Sequence, residues 1–220
     1  MSIGWVFSAA FILLLAGGAN ALAQTGIPLV DIKSADPTIV VELRYAGSKN
    51  VAGHPIYPPG TRALVRPELV PRLKRAQSFL RQFNYRLKIW DAYRPPSAQR
   101  TLWSVARNDR YVANPDRAAG SLHSWGVAVD CTLCDLHDRD VEMPTDFDDF
   151  TPAALSQYAG PNRKIRSHLH LLQVAMGGTG FYGFRNEWWH FTVKNWAKLI
   201  PRDQAERVVR TFGNQLTENL

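Results

Sequence analysis

The segment from Ser121 to Asp130 constrains the fold most strongly, because an apolar run ends there on a carboxylate. Val127–Val129 has the composition of a buried strand, and Asp130 follows it directly. His123 precedes the same run, with six residues between it and Asp130. The segment therefore predicts a strand that brings one imidazole and one carboxylate to a single point.

A second segment, Glu187–His190, adds another imidazole and another carboxylate, with two tryptophans between them that would exclude water. Two His, one Asp and an unliganded Glu form the residue set of a catalytic zinc site with an open fourth position. We predict one Zn2+ per chain, held by His123, Asp130 and His190, with Glu187 as the general base. In a regular strand Glu187 and His190 would point to opposite faces, so the prediction requires a bend or bulge between them.

The chain has 220 residues, of which 45% are hydrophobic, which suits one globular catalytic domain spanning residues 24–220. Residues 1–23 carry no charged side chain, and an apolar run over Ile3–Gly18 precedes Ala21–Ala23. This pattern predicts a signal peptide over residues 1–23, an exported and periplasmic protein, and no membrane span in the mature chain. A retained anchor is the alternative, because no Lys or Arg follows Met1.

The net charge of +7 could attract an anionic partner. The basic residues are scattered and no nucleic-acid motif accompanies them, so we expect no nucleic-acid partner and favour cell-wall fragments. Cys131 and Cys134 are best explained as two small residues at the end of a buried strand, although a disulfide or a metal site is also open. The acidic stretch over residues 135–149 could attract an amine or could be a solvated loop.

The patterns along the chain predict an α+β fold in which a central, mainly antiparallel sheet carries the zinc site and helices pack outside it. The predicted elements are strands over Ile39–Tyr45, Tyr85–Ala92 and Glu187–Val193; a turn over Phe181–Phe184; a helix from Pro67 or Pro71 to Phe83; a helix capped by Ser97; a helix over Asn162–Met176; and from Pro201 a polar helix at best.

Arg94 lies where two prolines stop the strand that precedes it. A permanent cation at a strand end could stabilise an oxyanion, although an ordinary salt bridge to an Asp is the alternative. Ser121 could hydrogen-bond the substrate or simply shape the turn before His123.

The combined pattern Ser-x-His-x-x-Gly-x-Ala-x-Asp, with Tyr-Arg-Pro upstream and Glu-x-Trp-His downstream, resembles the VanX-type D-alanyl-D-alanine dipeptidases. These belong to a wider group of zinc peptidases that includes D,D-carboxypeptidases, lysostaphin-like enzymes and the hedgehog signalling domain. The resemblance extends from about Asp31 to Val193. It implies the roles proposed above for the ligands and Glu187, and it implies that Arg94 stabilises the tetrahedral intermediate. It also implies that Ser121 and Asp148 hold the amino terminus of the substrate.

The resemblance leads us to expect zinc-dependent hydrolysis of D-Ala-D-Ala to two D-alanines. A D,D-carboxypeptidase that trims peptidoglycan stem peptides is the alternative, and it would need an open groove without an amine clamp. A zinc-bound wall-binding or signalling module without catalysis is a third hypothesis, which the presence of both Glu187 and Arg94 disfavours. A basic nucleic-acid binder is the least favoured hypothesis.

Overall fold

A computed structural model describes residues 26–117 and 120–217, with side chains described up to residue 210. The predicted signal peptide lies outside the described residues. The strands are β1 (Val30–Asp31), β2 (Val40–Val41), β3 (Leu64–Val65), β4 (Tyr85–Asp91), β5 (Ala128–Asp135), β6 (Phe181–Phe184) and β7 (Glu187–Val193). The α-helices are α1 (Ile32–Ala35), α2 (Val70–Arg81), α3 (Pro96–Val105), α4 (Arg163–Gly178) and α5 (Arg202–Thr217).

A five-stranded sheet in the order β2-β4-β5-β7-β6 forms the centre of the protein. Strand β2 runs parallel to β4, and every other pairing in this sheet is antiparallel. Strands β1 and β3 form a separate antiparallel pair. The predicted α+β fold with a mainly antiparallel central sheet is therefore confirmed.

Helices α2 and α4 pack against each other and against strands β4 and β6 of the sheet. The predicted apolar stripe of α4 is buried at Leu169, Leu172 and Met176, which recur at helical spacing. Asn162 caps α4, because its side-chain oxygen accepts hydrogen bonds from the N–H groups of Lys164 (2.9 Å) and Ile165 (3.4 Å). None of the described helices is long and apolar enough to cross a membrane.

Four local predictions need correction. The turn expected over Phe181–Phe184 is strand β6, because its backbone pairs with β7. The strand expected over Ile39–Tyr45 is reduced to β2, because the chain turns into a 3₁₀ helix over Arg44–Ala46. Ser97 does not cap α3, which begins at Pro96 and has no side-chain cap. Proline suits the first turn of a helix because its missing N–H has no helical partner there. The region from Pro201 is more than a polar helix, since α5 buries Ala205 and Val208.

The two cysteines are free thiols buried at 0% exposure, as expected for small residues of a buried strand. Burial raises the pKa of the Cys131 thiol well above its ordinary value and that of Cys134 to about 11. Both thiols are therefore protonated and chemically inert near neutral pH.

Candidate active site

The site lies where three neighbouring strands of the central sheet align their acidic and imidazole side chains. Asp130 of β5 pairs with His190 of β7 on one side and with Asp91 of β4 on the other. The second pairing depends on a β-bulge: Ile89 pairs with Cys131 and Asp91 with Asp130, so Trp90 is an extra residue. Because directly paired residues share a face of a sheet, the bulge turns Asp91 toward the same side as Asp130.

His123 reaches this face from a 3₁₀ helix over Leu122–Trp125. The helix ends at Gly126, whose φ of 67° lies in the left-handed region. A larger residue is also excluded here because its Cβ atom would clash with the side chain of Leu29. The backbone N–H of Arg94 donates to the carbonyl of His123 (3.2 Å), and His123 Nδ1 lies 2.9 Å from the carbonyl oxygen of Ala92. These contacts fix the orientation of the His123 ring.

Three potential metal-ligand atoms converge on one point. Asp130 Oδ1 lies 3.0 Å from His190 Nδ1 and 3.3 Å from His123 Nε2, and the two ring nitrogens are 3.1 Å apart. In a tetrahedral zinc site ligand atoms stand about 3.3 Å from one another, so these separations fit the ion. His123 Nδ1 is held by the carbonyl of Ala92, and His190 Nε2 is held by the hydroxyl of Thr192. The other nitrogen of each ring is then an acceptor, and the two acceptors face each other, an arrangement that a bound cation would stabilise.

The electrostatics of these groups also suit a metal. Burial lowers the pKa of His190 despite the attraction of Asp130, so its imidazole is neutral. Burial alone would raise the pKa of Asp130, but His123 and His190 hold it well below its ordinary value. Neutral imidazoles and an ionised carboxylate are the protonation states that metal binding requires.

Glu187 lies beside the metal-ligand group, with its Oε2 atom 3.9 Å from His190 Nδ1. The bend that the sequence required is present: Gly183 pairs with Phe191 but Phe184 pairs with Glu187, so residues 188–190 bulge away from β6. Burial, followed by the charges of Asp130 and Asp148, raises the pKa of Glu187 well above its ordinary value. Among the described residues its carboxylate has no hydrogen-bond partner, which leaves it available to a proton donor.

Arg94 lines the same cavity and is held by acidic side chains, so the ion pair expected as the alternative is present, and the oxyanion role stays a prediction. Its Nε and Nη2 atoms donate to Asp91 Oδ2 (2.9 and 2.7 Å), and Nη2 also approaches Asp130 Oδ2 (3.4 Å). Nη1 donates to Gln99 (2.9 Å), and the guanidinium lies over the ring of Tyr45 at 4.8 Å. The side chain is thus fixed in one orientation toward the centre.

Asp91 is a site residue to which the sequence analysis assigned no role. Its carboxylate is fully buried, accepts from Arg94 and from the hydroxyl of Tyr57, and lies 3.4 Å from His123 Nδ1. A carboxylate at the end of an otherwise buried strand was the available signal. Asp91 links Arg94 to His123 and so orients both groups.

The structure brings Asp148, but not Asp146 or Asp149, to the cavity. Its carboxylate is 8% exposed and accepts from the hydroxyl of Tyr45 (3.0 Å) and the N–H of Val51 (3.1 Å). Burial raises the pKa of Asp148 to about 7. A carboxylate so deprived of water gains strongly from a bound cation, which is consistent with the predicted amine-binding role.

Ser121 also lines the cavity, and its hydroxyl accepts from the N–H of His123 (3.3 Å). It therefore caps the 3₁₀ helix that carries His123, and it shapes the turn as one of its two interpretations predicted. Its position in the wall leaves the substrate-binding role open as a prediction.

The cavity wall is completed by residues that the sequence analysis left in a polar loop. Asp109–Ala113, which we call the mouth loop, line the cavity. The ring of Tyr111 stacks on Phe150 at 5.1 Å, and the Asn186 side chain donates to the carbonyl of Arg110 (3.3 Å). Only tertiary contacts with distant residues reveal this role, so no local sequence signal could have found it.

An α+β domain with this ligand set, an unliganded glutamate and a buried arginine in one cavity defines a metallopeptidase. A family model described as D-ala-D-ala dipeptidase matches residues 26–209, and the chain belongs to that peptidase family, M15.

The chain is similar to the D-alanyl-D-alanine dipeptidase of Escherichia coli K12, with 34% identity over 74% of this chain and 83% of the relative. It is 27% identical to the enzyme of the same name from Enterococcus faecalis over 68% of this chain and 83% of that relative. For the Streptomyces coelicolor protein of that name the identity is 29%, over 70% and 85% of the two chains.

Proposed function

We propose that this protein hydrolyses D-alanyl-D-alanine to two D-alanines, with one zinc ion held by His123, Asp130 and His190. The observation that carries the proposal is the pair of buried carboxylates, Asp148 and Glu187, in one cavity with the metal-ligand group. One carboxylate suits the substrate's ammonium group and the other suits proton transfer. The names of the relatives support the same substrate.

Asp148 distinguishes a free dipeptide from a longer peptide. A free amino terminus places a positive charge against this buried carboxylate, whereas an acylated nitrogen would leave the carboxylate without a counter-ion. Burying an unpaired charge costs several kcal/mol, so the acylated peptide is rejected. The amine clamp therefore favours the dipeptidase over the D,D-carboxypeptidase.

The mouth loop adds a steric reason for the same selectivity. The Tyr111–Phe150 stack and the hydrogen bond from Asn186 tie this loop to two other walls of the cavity. A stem peptide would need space where these walls meet. The walls also exclude water, which strengthens the electrostatic interactions inside the cavity.

The residues of the chain divide the work of hydrolysis. A bound zinc ion supplies Lewis acidity to the scissile carbonyl and to the attacking water. Glu187 takes a proton from that water at its carboxylate and passes it to the nitrogen of the leaving D-alanine. Arg94, held by Asp91, directs positive charge toward the oxygen on which negative charge develops.

The test is D-alanine release by the zinc-loaded protein from free D-Ala-D-Ala and, in parallel, from an N-acylated peptide that ends in D-Ala-D-Ala. We expect release from the free dipeptide alone, and we expect Glu187→Gln to abolish it. A preference for the acylated peptide would replace the dipeptidase with the carboxypeptidase. Inactivity on both substrates with zinc bound would favour a non-catalytic module.

We further propose that the protein is exported to the periplasm and acts in the metabolism of cell-wall peptides. The support is the uncharged first 23 residues with their apolar run and Ala21–Ala23 end. Mass spectrometry of the protein from fractionated cells checks this proposal. A periplasmic chain that begins at Gln24 is expected, whereas an intact N-terminus in the cytoplasmic fraction would contradict export.

A further inference from the structure

We infer that Arg110, on the mouth loop, binds the C-terminal carboxylate of the dipeptide. This inference deepens the proposed function and depends on it. A zwitterionic dipeptide requires a cation beside its C-terminal carboxylate, and Arg110 would be that cation. Binding there would place the leaving D-alanine toward the mouth of the cavity.

The charges of the cavity show why a second cation is needed. Three of its lining residues are buried carboxylates, Asp130, Asp148 and Glu187. The proposed zinc ion would neutralise Asp130, so Asp148 and Glu187 remain to repel the carboxylate of a substrate. Of the described lining residues, only Arg94 and Arg110 carry a guanidinium or ammonium group. Arg94 is already engaged by Asp91, Asp130 and Gln99 through every one of its nitrogen atoms.

Arg110, in contrast, has an uncommitted guanidinium. Its side chain is exposed and forms no ion pair or hydrogen bond within the described residues. The adjacent Asp109 does not neutralise it, because Asp109 pairs with Arg117 at 3.2 Å. An arginine with free donors can bind a carboxylate through two parallel hydrogen bonds.

The backbone of Arg110 is held on both sides although its side chain is free. Its N–H donates to the side chain of Asn108 (3.1 Å), and its carbonyl accepts from the side chain of Asn186 (3.3 Å). Asn186 lies in the turn that leads directly into Glu187. The anchoring therefore holds the backbone of Arg110 at the wall of the cavity that contains Glu187, which reduces the backbone entropy lost on binding.

The test compares D-Ala-D-Ala with D-alanyl-D-alaninamide, which lacks the carboxylate. Binding of both compounds to the zinc-loaded Glu187→Gln protein is measured by calorimetry, with and without Arg110→Gln. We expect Arg110→Gln to weaken binding of the dipeptide about tenfold or more, as for a charge-assisted pair, and to change binding of the amide less than about twofold. Arg110→Lys should retain part of the affinity because it keeps the charge but not the fork.

Arg107→Gln is the matched control. Arg107 is exposed just before the mouth loop, makes no ion pair in the described part of the chain and does not line the cavity. The Arg107→Gln substitution removes the same charge from the same region. If the two variants lost equal affinity for the dipeptide, the loss would come from the overall electrostatic potential of the region, and the inference would be overturned.

The outcomes separate this inference from the proposed function. Equal affinity for the dipeptide with and without Arg110, or equal losses for dipeptide and amide, would exclude Arg110 as the carboxylate ligand while leaving the dipeptidase intact. Failure of the Glu187→Gln protein to bind either compound would contradict both, and it would coincide with absence of D-alanine release by the unsubstituted protein.

Discussion

Two clusters of buried charge lie on the same sheet, and they are built with opposite signs. In the first, which we call the cation cluster, the side chains of Arg44 and Lys88 are only 3% and 4% exposed. Their partners Glu42 and Asp140 are 38% and 44% exposed and remain in contact with water. In the active site the acids are buried instead: Asp91, Asp130, Asp148 and Glu187 share a single buried arginine.

Whether the cations or the acids are buried distinguishes a structural cluster from a functional one. In the cation cluster the half-exposed acids neutralise the buried cations, and Lys88 has a raised pKa because its bonds to Asp140 and Glu42 outweigh its burial. In the active site burial raises the pKa of both Asp148 and Glu187 although the charge of Arg94 acts on both, and among the described residues neither carboxylate forms an ion pair with a lysine or arginine. We expect a ligand to relieve such an excess of buried negative charge, and the proposed ligands are the metal ion and the substrate's ammonium group.

Aromatic rings lie between the two clusters. Arg44 lies over Trp90 at 4.7 Å, and Arg94 lies over Tyr45 at 4.8 Å. The ring of Phe147 contacts both Tyr45 and Trp90 at 5.2 and 5.6 Å. The rings therefore separate the two clusters by apolar contacts.

The largest expected effect comes from Glu187→Gln, which keeps the shape of the side chain but removes its basicity. We expect kcat to fall by about a thousandfold, as for the loss of a general base. Zinc content, measured by elemental analysis, should remain one per chain, because Glu187 is not among the ligands. Loss of the metal together with the activity would show instead that Glu187 is a ligand.

Asp148→Asn should affect activity and stability in opposite directions. We expect KM for D-Ala-D-Ala to rise by about ten- to a hundredfold, because a neutral amide no longer pairs with the ammonium group. Asparagine tolerates the left-handed backbone of this residue, whose φ is 59°, so the fold should be kept. An unchanged KM would remove Asp148 from the substrate site.

The stability change of Asp148→Asn should depend on pH. The pKa of Asp148 is about 7 in the folded protein, against an ordinary value of 3.8, so the native state resists ionisation and loses stability as the pH rises between these values. Relative to the unsubstituted protein, the variant should therefore gain stability from pH 4 to pH 7, by on the order of a few kcal/mol. Urea unfolding of the metal-free proteins at pH 5 and pH 8 measures this difference.

Thr192→Val should weaken metal binding. Thr192 Oγ1 lies 3.0 Å from Nε2 of His190 and holds that ring with its Nδ1 atom toward Asp130. Loss of such a partner commonly lowers metal affinity by about 10- to 100-fold, and we expect the lower end because β7 still fixes the backbone. Competition with a chelator provides the measurement, and Thr192→Ser should restore the affinity if the hydroxyl is responsible.

The smallest effect on function is expected in the cation cluster. Lys88→Met removes one buried cation and leaves acids that water can solvate, so the free energy of unfolding should fall by about 1–2 kcal/mol. KM and kcat should stay within about twofold. A large loss of kcat with unchanged stability would contradict the separation between the two clusters.

The sequence predicted the convergence of His123, Asp130 and His190 because ligand types at the ends of apolar runs carry a strong local signal. It required a bend or bulge between Glu187 and His190, but it did not predict the bulge at Trp90, since register depends on pairing between strands distant in the chain. It identified Asp148 only through the family resemblance and not from the pattern of the residues. The mouth loop was missed because its role arises from tertiary contacts, whereas Asp91 had a local signal, a carboxylate at the end of a buried strand, to which no role was assigned.

The two bulges also determine which kinds of mutation the site tolerates. A substitution at Trp90 leaves the number of residues in β4 unchanged, so Asp91 still faces Asp130. Deletion of that one codon would place Asp91 directly after Ile89, so a regular ladder would still pair Asp91 with Asp130. Deletion of a regularly paired residue of β4 would instead shift the register and turn the side chains on one side of the deletion to the opposite face. Screens of point mutants would therefore overlook a requirement that a scan of single-codon deletions through β4 and β7 would expose.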